Sequence, residues 1–569
     1  CIHLIRPMEE GVQLIADGPA NEVKHSIRHT QQRTDCVKNI ALGALGLACA
    51  TTAAAAAAWL NNLIWGLEQR PAAPQRVNIL LFEADQVRPD AHDAGMPVSF
   101  APRRTALTRN LDSIQATGVR FSRAYSSSPI CTPARLALLT GRSTAGHGMR
   151  SYQASVPPPT AGQLEMVSTL LRAGYFTSVV GKNHYGLSED GLSFRAHGFS
   201  EMALYEGLLV FDERSSNKFV RLDTYGEWFA RACPGCDPLA SLRGDGNHAP
   251  SAPWRTTETS TPYNSIGAYA YPFPERLHPT RWTADRAIQS LERWLRRRTA
   301  GDLHPILLKV SFHRPHNPYD PPERVLQMVI DDIGKVVPPA VGDWDDRFAS
   351  GKDCTAAKQQ FCGGGCGYQS YCGQLKSDDI VRIRAHYLAS LAYVDEQVGR
   401  ILDRFHQASL EWKHTFVLYL SDHGDALGDH NLWRKGFPYE QVATVPMYMR
   451  WPEAWDSRAV VSRGSVLPHL VELRDVFPTI ADVAGITLGA NAGLDGTSML
   501  PLMVAQEQGN ELVPISWRTS LMLELTMCDQ WNWAALTDGR IKYVRHLATG
   551  HEQLFDLAAD PYELRDLAM

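Results

Sequence analysis

Short apolar runs alternate along the chain with longer stretches in which apolar residues return every three or four positions. Four of the runs, Val77 to Ala84, Phe176 to Val180, Ile306 to Phe312 and Thr415 to Leu420, have strand length. They also have the near-continuous aliphatic, β-branched and aromatic character of parallel strands covered on both faces. Between them, Trp282, Ala287, Ile288, Leu291 and Leu295 mark one face of a helix, on which Glu292 and Arg296 are spaced for an i, i+4 ion pair. Leu388, Leu391, Val394, Val398, Ile401 and Leu402 mark a second. Strands alternating with helices predict an α/β fold. Each run stops at polar residues: Asp85-Gln86, Gly181-Lys182-Asn183-His184, His313-Arg314-Pro315-His316 and Ser421-Asp422-His423-Gly424. Ligands of open α/β sheets bind beyond the carboxyl ends of the strands, so the four clusters are expected to converge on one site. Glu83, inside the first run, reads either as a satisfied core carboxylate or as a group lying behind that site.

Composition narrows the picture. The chain has 569 residues, 44% hydrophobic and 21% charged, enough apolar material for large cores. With 56 basic against 61 acidic residues and a net charge of −5, it lacks the basic footprint of a nucleic-acid binder. Any anionic substrate must be held by a few local cations. Residues 1–35 form an N-terminal segment with no assigned role, and 36–76 a hydrophobic segment and linker. From Ile40 to Leu60 there is no charged residue, while Arg28, Arg33 and Lys38 precede the run. That run is long enough to be a single membrane anchor, and a cleaved signal sequence and a buried Ala-rich helix are the other readings. The first two predict export or entry into the secretory pathway, with the catalytic part lumenal or extracellular. Four of the eleven cysteines, Cys354, Cys362, Cys366 and Cys372, crowd a Gly-rich stretch whose uneven spacing suits two disulfides better than a zinc site. Cys233 and Cys236 read as a local structural disulfide.

The most specific segment is Ser128-Pro129-Ile130-Cys131-Thr132-Pro133-Ala134-Arg135, continuing to Gly141-Arg142. Thr132 as N-cap and Pro133 as first helical residue would start a helix just after Cys131. Its side chain would then face the free N–H groups of the helix start, a setting for an anion or a thiolate. A buried structural cysteine is the alternative.

C-x-P-x-R followed by L-x-x-L-T-G-R resembles the signature of type I sulfatases, whose cysteine a maturation enzyme oxidises to formylglycine. Gly181-Lys182-x-His184, Ser311-Phe312 with Pro315-His316-x-Pro318, and Asp422-His423-Gly424 with Leu427-Gly428-Asp429-His430 resemble further family motifs in the same order. So do Leu473 to Gly485, Asp495-Gly496-Thr497-Ser498, Thr537 to Tyr543 and Gln553 to Leu557. The resemblance implies an alkaline-phosphatase-like α/β sandwich. A large mixed central sheet flanked by helices would form a catalytic domain over 77–505, and a small C-terminal subdomain over 506–569 would carry an antiparallel sheet.

It also implies roles. Asp85, Gln86, Asp422 and His423, with the modified Cys131, would hold one divalent cation, Ca2+ before Mg2+ because most of the donors are hard oxygens. Many relatives have a second aspartate where this chain has Gln86. Arg135 and Lys182 would fix the formylglycine oxygens, and His184 would act as base. His316 and Lys435 would bind sulfate and assist the leaving group, with Arg434 a competitor for Lys435. His147, His313 and His430 compete as histidines. The expected partners are a small-molecule or carbohydrate sulfate ester and the formylglycine-generating enzyme. Phosphonate or phosphate mono- or diester hydrolysis on the same fold is the other enzymatic reading, and a catalytically silent binding protein a more distant one.

Overall fold

The computed structural model describes residues 76–92, 107–150, 163–187, 193–207, 210–211, 219–220, 223–236, 268–330, 370–372, 377–489, 492–504, 516–526 and 532–568. The expected strands form β1 (Asn78–Asp85), β3 (Phe176–Gly181), β5 (Ile306–Pro315) and β6 (Thr415–Leu420). With β2 (Val119–Tyr125), β4 (Glu201–Leu204), β7 (Met447–Arg450) and β8 (Ser465–Glu472) they make one sheet in the order β8-β2-β7-β6-β1-β5-β3-β4. β1 lies parallel to both β5 and β6, and β3 lies parallel to β5. β7 runs antiparallel to its neighbours β6 and β2, so the sheet is mixed.

Alternation along β1 supplies both faces of the sheet. Ile79 and Leu81 pack with Leu136 and Leu139 of α2 (Cys131–Thr140), Leu170 of α3 (Met166–Arg172) and Ile480 of α6 (Val476–Val483). Leu80 and Phe82 pack with Leu111 of α1 (Arg109–Ala116), Leu291 of α4 (Pro279–Thr299) and Leu388 and Leu391 of α5 (Ser377–His406). Each such fully buried side chain contributes about 1.5–3 kcal/mol. That is why a strand covered on both faces reads as an unbroken apolar run.

Two local expectations need correction. Glu292 does not pair with Arg296; its carboxylate meets Arg404 on α5 at 3.4 Å, because the polar edge of α4 faces that helix. The helix at the cysteine begins two residues early: Ile130, in extended conformation, is the N-cap, and Cys131 is already helical. Pro133 is then the third helical residue, where the missing N–H is still no loss.

Four antiparallel strands, β9 (Leu521–Thr526), β10 (Asn532–Thr537), β11 (Ile541–His546) and β12 (Glu552–Asp556), form the C-terminal sheet. Its inner face, including Leu523, Trp533, Val544 and Phe555, packs on Tyr125, Ile130, Phe437 and Tyr439. The indole of Trp533 donates to the Gly436 carbonyl at 3.0 Å, Gly436 N–H to Pro129 at 3.0 Å, and Glu524 N–H to Ser127 at 2.8 Å. The sheet therefore grips the two segments that lead to Cys131 and Lys435. Cys233 and Cys236 are disulfide-bonded. Among the described residues no helix is long and apolar enough to cross a membrane. The run at 40–60 and the side chains of Cys354, Cys362, Cys366 and Cys372 lie outside the described residues.

Lys542 is the buried tie of the C-terminal sheet: its ammonium lies 2.7 Å from Glu440 and 2.8 Å from Glu563, and it donates to the Pro438 carbonyl. Removing one partner of a buried ion pair costs about 3–5 kcal/mol. Lys542→Met is expected to lower the urea midpoint by a corresponding amount, and an unchanged midpoint would contradict this role.

Candidate active site

The strand ends bring their polar residues together as the sheet order demands. β1 delivers Asp85 and then Gln86, which adopts a left-handed conformation (φ 67°). β6 delivers Asp422 and His423, the end of β3 delivers Lys182 and His184, and α2 begins with Cys131 beside them. The Cys131 sulfur accepts from Lys435 at 2.9 Å, lies 3.3 Å from His423 Nε2 and 3.6 Å from Lys182 Nζ. Ligand atoms of Asp85, Cys131, Asp422 and His423 all lie within 4.8 Å of one another, and all four residues are buried. Oδ1 of Asp85 is buried without a hydrogen-bond partner, while Oδ2 is held by Lys182 and Arg135. His423 shares its Nδ1 with the Gly424 carbonyl, an acceptor only. Nδ1 therefore carries a proton and Nε2 faces the cluster; burial opposes a charge on this ring, but Asp422 and the Cys131 sulfur raise its proton affinity above the ordinary value.

Gln86 is fixed in the same way. Its Nε2 donates to Asp425, and its Oε1 accepts from Lys435 at 3.1 Å. A carboxylate can only accept and an ammonium can only donate, so the amide oxygen must lie on the Cys131 side. Asp425 also accepts from Tyr319 OH at 2.6 Å and from the N–H groups of Leu427 and Arg434. Of the two neighbouring cations, Lys435 reaches the sulfur. Arg434 is in a left-handed conformation (φ 68°), with its N–H on Asp425.

The guanidinium of Arg135 lies beneath the carboxylates. Nε donates to Asp422 at 2.8 Å, Nη2 to Asp85 at 3.3 Å, and Nη1 to Ser311 Oγ and the Lys182 carbonyl. Buried charges set the protonation of the cluster. Burial and Asp85 push the Cys131 thiol up, but Lys182, Lys435 and His423 outweigh them and leave it below its ordinary value. Burial opposes the Asp85 charge, yet Lys182, Lys435 and Arg135 hold its carboxyl well below the usual range. His184 is held well below its ordinary value by burial and by Lys182 and Arg135. Half-buried His316 is lowered likewise, by burial and the positive charges of Lys435 and Lys182, and shares its Nδ1 with the Asn317 carbonyl. Both rings rest neutral.

His147 and His430 sit elsewhere: His147 accepts from Met149 N–H, and the His430 ring packs 5.0 Å from Tyr439. His313 stacks edge-on with His316 at 4.6 Å. Sequence reasoning missed Asp425 and Glu206. Asp425 had a signal, since it follows the Asp-His-Gly motif directly. Glu206 had none: it accepts the N–H groups of Asn183 and His184, both at 2.9 Å, and lies 3.7 Å from His184 Nε2.

Comparison with known proteins places this geometry in context. The model of the family described as Sulfatase matches residues 78–486, and that described as N-sulphoglucosamine sulphohydrolase, C-terminal, matches 428–569. The chain is 30% identical over 497 residues to the arylsulfatase of Clostridium perfringens, covering 86% of this chain and 90% of the relative. It is 28% identical over 498 residues to the choline-sulfatase of Rhizobium meliloti, covering 86% and 82%. The crystal structure of the phosphonate monoester hydrolase of Agrobacterium radiobacter shares the fold, with a TM-score of 0.63, 24% identity and coverage of 87% and 92%.

Burial raises Glu206 from 4.5 to about 7. Between those values the folded carboxyl keeps a proton that the unfolded one has lost, so this group makes stability fall as pH rises through the window, by up to about 3 kcal/mol. Glu206→Gln keeps an acceptor for the backbone N–H groups and removes the titration. Denaturant melts at pH 4.5 and 7 should show the variant losing less stability than the parent between them; equal losses would refute the assignment.

Proposed function

The chain belongs to the sulfatase family and is a sulfuric ester hydrolase, and we propose that it cleaves its ester at residue 131 after Cys131 has been converted to formylglycine. The observation that supports this most is the ring of Lys435, His423 and Lys182 around the Cys131 sulfur, with Asp85 and Asp422 alongside. Hydrated formylglycine supplies two hydroxyls on one carbon, one to attack sulfur and one whose deprotonation expels sulfate and restores the aldehyde.

The donor set fits a divalent cation. Asp85 offers an unpartnered buried oxygen, Asp422 a second carboxylate, Gln86 an oriented amide oxygen and His423 an Nε2 whose lone pair a cation would take in place of a proton. Predominantly oxygen donors favour Ca2+, with Mg2+ the other hard cation. When bound, the cation would polarise the sulfate oxygens as a Lewis acid. Arg135 holds the two carboxylates in place from beneath. Lys182 and Lys435 neutralise the charge of the substrate in a pocket where each charge counts for more than at the surface. Neutral His184 accepts a proton, as a base must. His316, also neutral at rest, gains affinity for a proton once an anionic ester offsets the repulsion of Lys435 and Lys182, and can then deliver it to the departing alcohol.

The candidate substrates are aryl sulfates, choline sulfate and sulfated sugars. The amide of Gln86 leaves the ligand set one negative charge short of a second aspartate, and it favours phosphonate or phosphate ester hydrolysis as the runner-up. The proposal includes a maturation enzyme as partner, a catalytic domain over 77–505, a C-terminal subdomain over 506–569, and export directed by the run at 40–60, as anchor or signal.

The tryptic peptide containing residue 131 should be lighter by about 18 Da than its cysteine form, the change from thiol to aldehyde at this nucleophile. Fully active protein carrying only cysteine there would refute the modification. Lys435→Ala should lower kcat and kcat/KM together by roughly a hundredfold, the scale of losing one preorganised charge donor. An unchanged kcat would move the role to Arg434. For matched aryl esters, kcat/KM should be higher for the sulfate than for the phosphodiester; the reverse ratio would establish the runner-up.

A further inference from the structure

The site rests on a pair of charges that its chemistry does not use. Glu83 and Lys309 lie in the middle of β1 and β5, both fully buried among apolar neighbours. The parallel register pairs Glu83 with Ser311 and Leu81 with Lys309, so the two charged residues are diagonal neighbours on the same face of the sheet. Their charged groups are 3.0 Å apart. An apolar pair would fill these positions without removing two ions from water, and such replacements are often neutral or stabilising. Packing alone gives no reason for the pair.

Its outer contacts do. The other oxygen of Glu83 is 3.1 Å from Nη1 of Arg135, the guanidinium that bonds Asp85 and Asp422. Lys309 donates to Asn183 Oδ1 at 3.2 Å and to Tyr185 OH at 3.0 Å, and its ammonium lies 4.5 Å from the centre of the Tyr185 ring. Asn183 and Tyr185 are the two chain neighbours of His184, and Lys182 precedes them. We propose that Glu83 and Lys309 are positioning residues: Glu83 locks the guanidinium that aligns the two cation-binding carboxylates, and Lys309 ties that lock to the loop carrying Lys182 and His184. Neither touches substrate. The pair makes the acidic half of the site and its base-bearing loop a single rigid body. This inference rests on the roles given above to Arg135, Asp85, Asp422 and His184.

The experiment compares wild type with Glu83→Leu, Lys309→Met and the double variant, each as full-length matured protein. Each single variant strands one buried charge and should melt lower, whereas the double variant should recover most of that loss. A merely structural pair would then recover everything else as well. The proposal expects the double variant to bind Ca2+ about tenfold or more weaker by calorimetry on chelator-stripped protein, and to turn over an aryl sulfate with kcat reduced about tenfold or more and KM within about twofold. Ca2+ affinity and kcat both within about twofold of wild type in a folded double variant would overturn it. Should the double variant not fold, the near-isosteric Glu83→Gln is read by the same two criteria. Wild type that binds Ca2+ but cleaves no sulfate ester would count against the sulfatase mechanism, while the calorimetric comparison would still decide the role of the pair.

Discussion

Ions taken out of water must find each other, and the architecture around Cys131 is organised by that requirement. Glu83, Asp85 and Asp422 are buried together with Arg135, Lys182, Lys309 and Lys435. An unpaired charge at such depth costs several kcal/mol, so each carboxylate has a cation against it. Arg135 alone meets three carboxylates, which come from β1 and from the end of β6. This arrangement works only with β1 in the middle of the sheet and β5 and β6 on either side. The apolar faces of β1 secure that order, and the polar ends of the same strands use it.

The balance also explains why the site stands ready before any substrate arrives. Amide and ring orientations are set by neighbours that can only donate or only accept: Asp425 and Lys435 for Gln86, and the Gly424 carbonyl for His423. Lys182 and Lys435 converge on the Cys131 sulfur, and burial together with their like charge keeps His184 and His316 neutral. An incoming anion would offset the repulsion that Lys182 and Lys435 exert on both rings. The C-terminal sheet adds a second restraint, since Trp533 and the Gly436–Pro129 bond hold the segment before Cys131 and the segment after Lys435 to one surface.

How much of this could be read beforehand follows the same physics. The four strands ending in chemistry were legible because burial on both faces writes a continuous apolar run, and Asp85, Lys182, His316 and Asp422 stand where those runs stop. The N-terminal boundary of α2 lies two residues before the one that Thr132 suggests, since the backbone at Ile130, not the capping ability of Thr132, decides it. Glu83 stayed ambiguous because its meaning depends on register: only the pairing of Leu81 with Lys309 brings an ammonium to it. Glu206 was invisible because its contacts are backbone N–H groups, which any sequence offers. The choice between Lys435 and Arg434 required the left-handed turn at Arg434, for which an arginine gives no hint.

The central claim is that these buried charges form one site for a cation and a sulfate together. A crystal structure of the matured protein soaked with inorganic sulfate tests it most directly. The account predicts a single divalent cation touching oxygens of Asp85, Gln86 and Asp422 and Nε2 of His423, a formylglycine at position 131, and sulfate oxygens on Lys182, His316 and Lys435. A cation bound elsewhere, or a sulfate that makes no contact with Lys182 and Lys435, would contradict it.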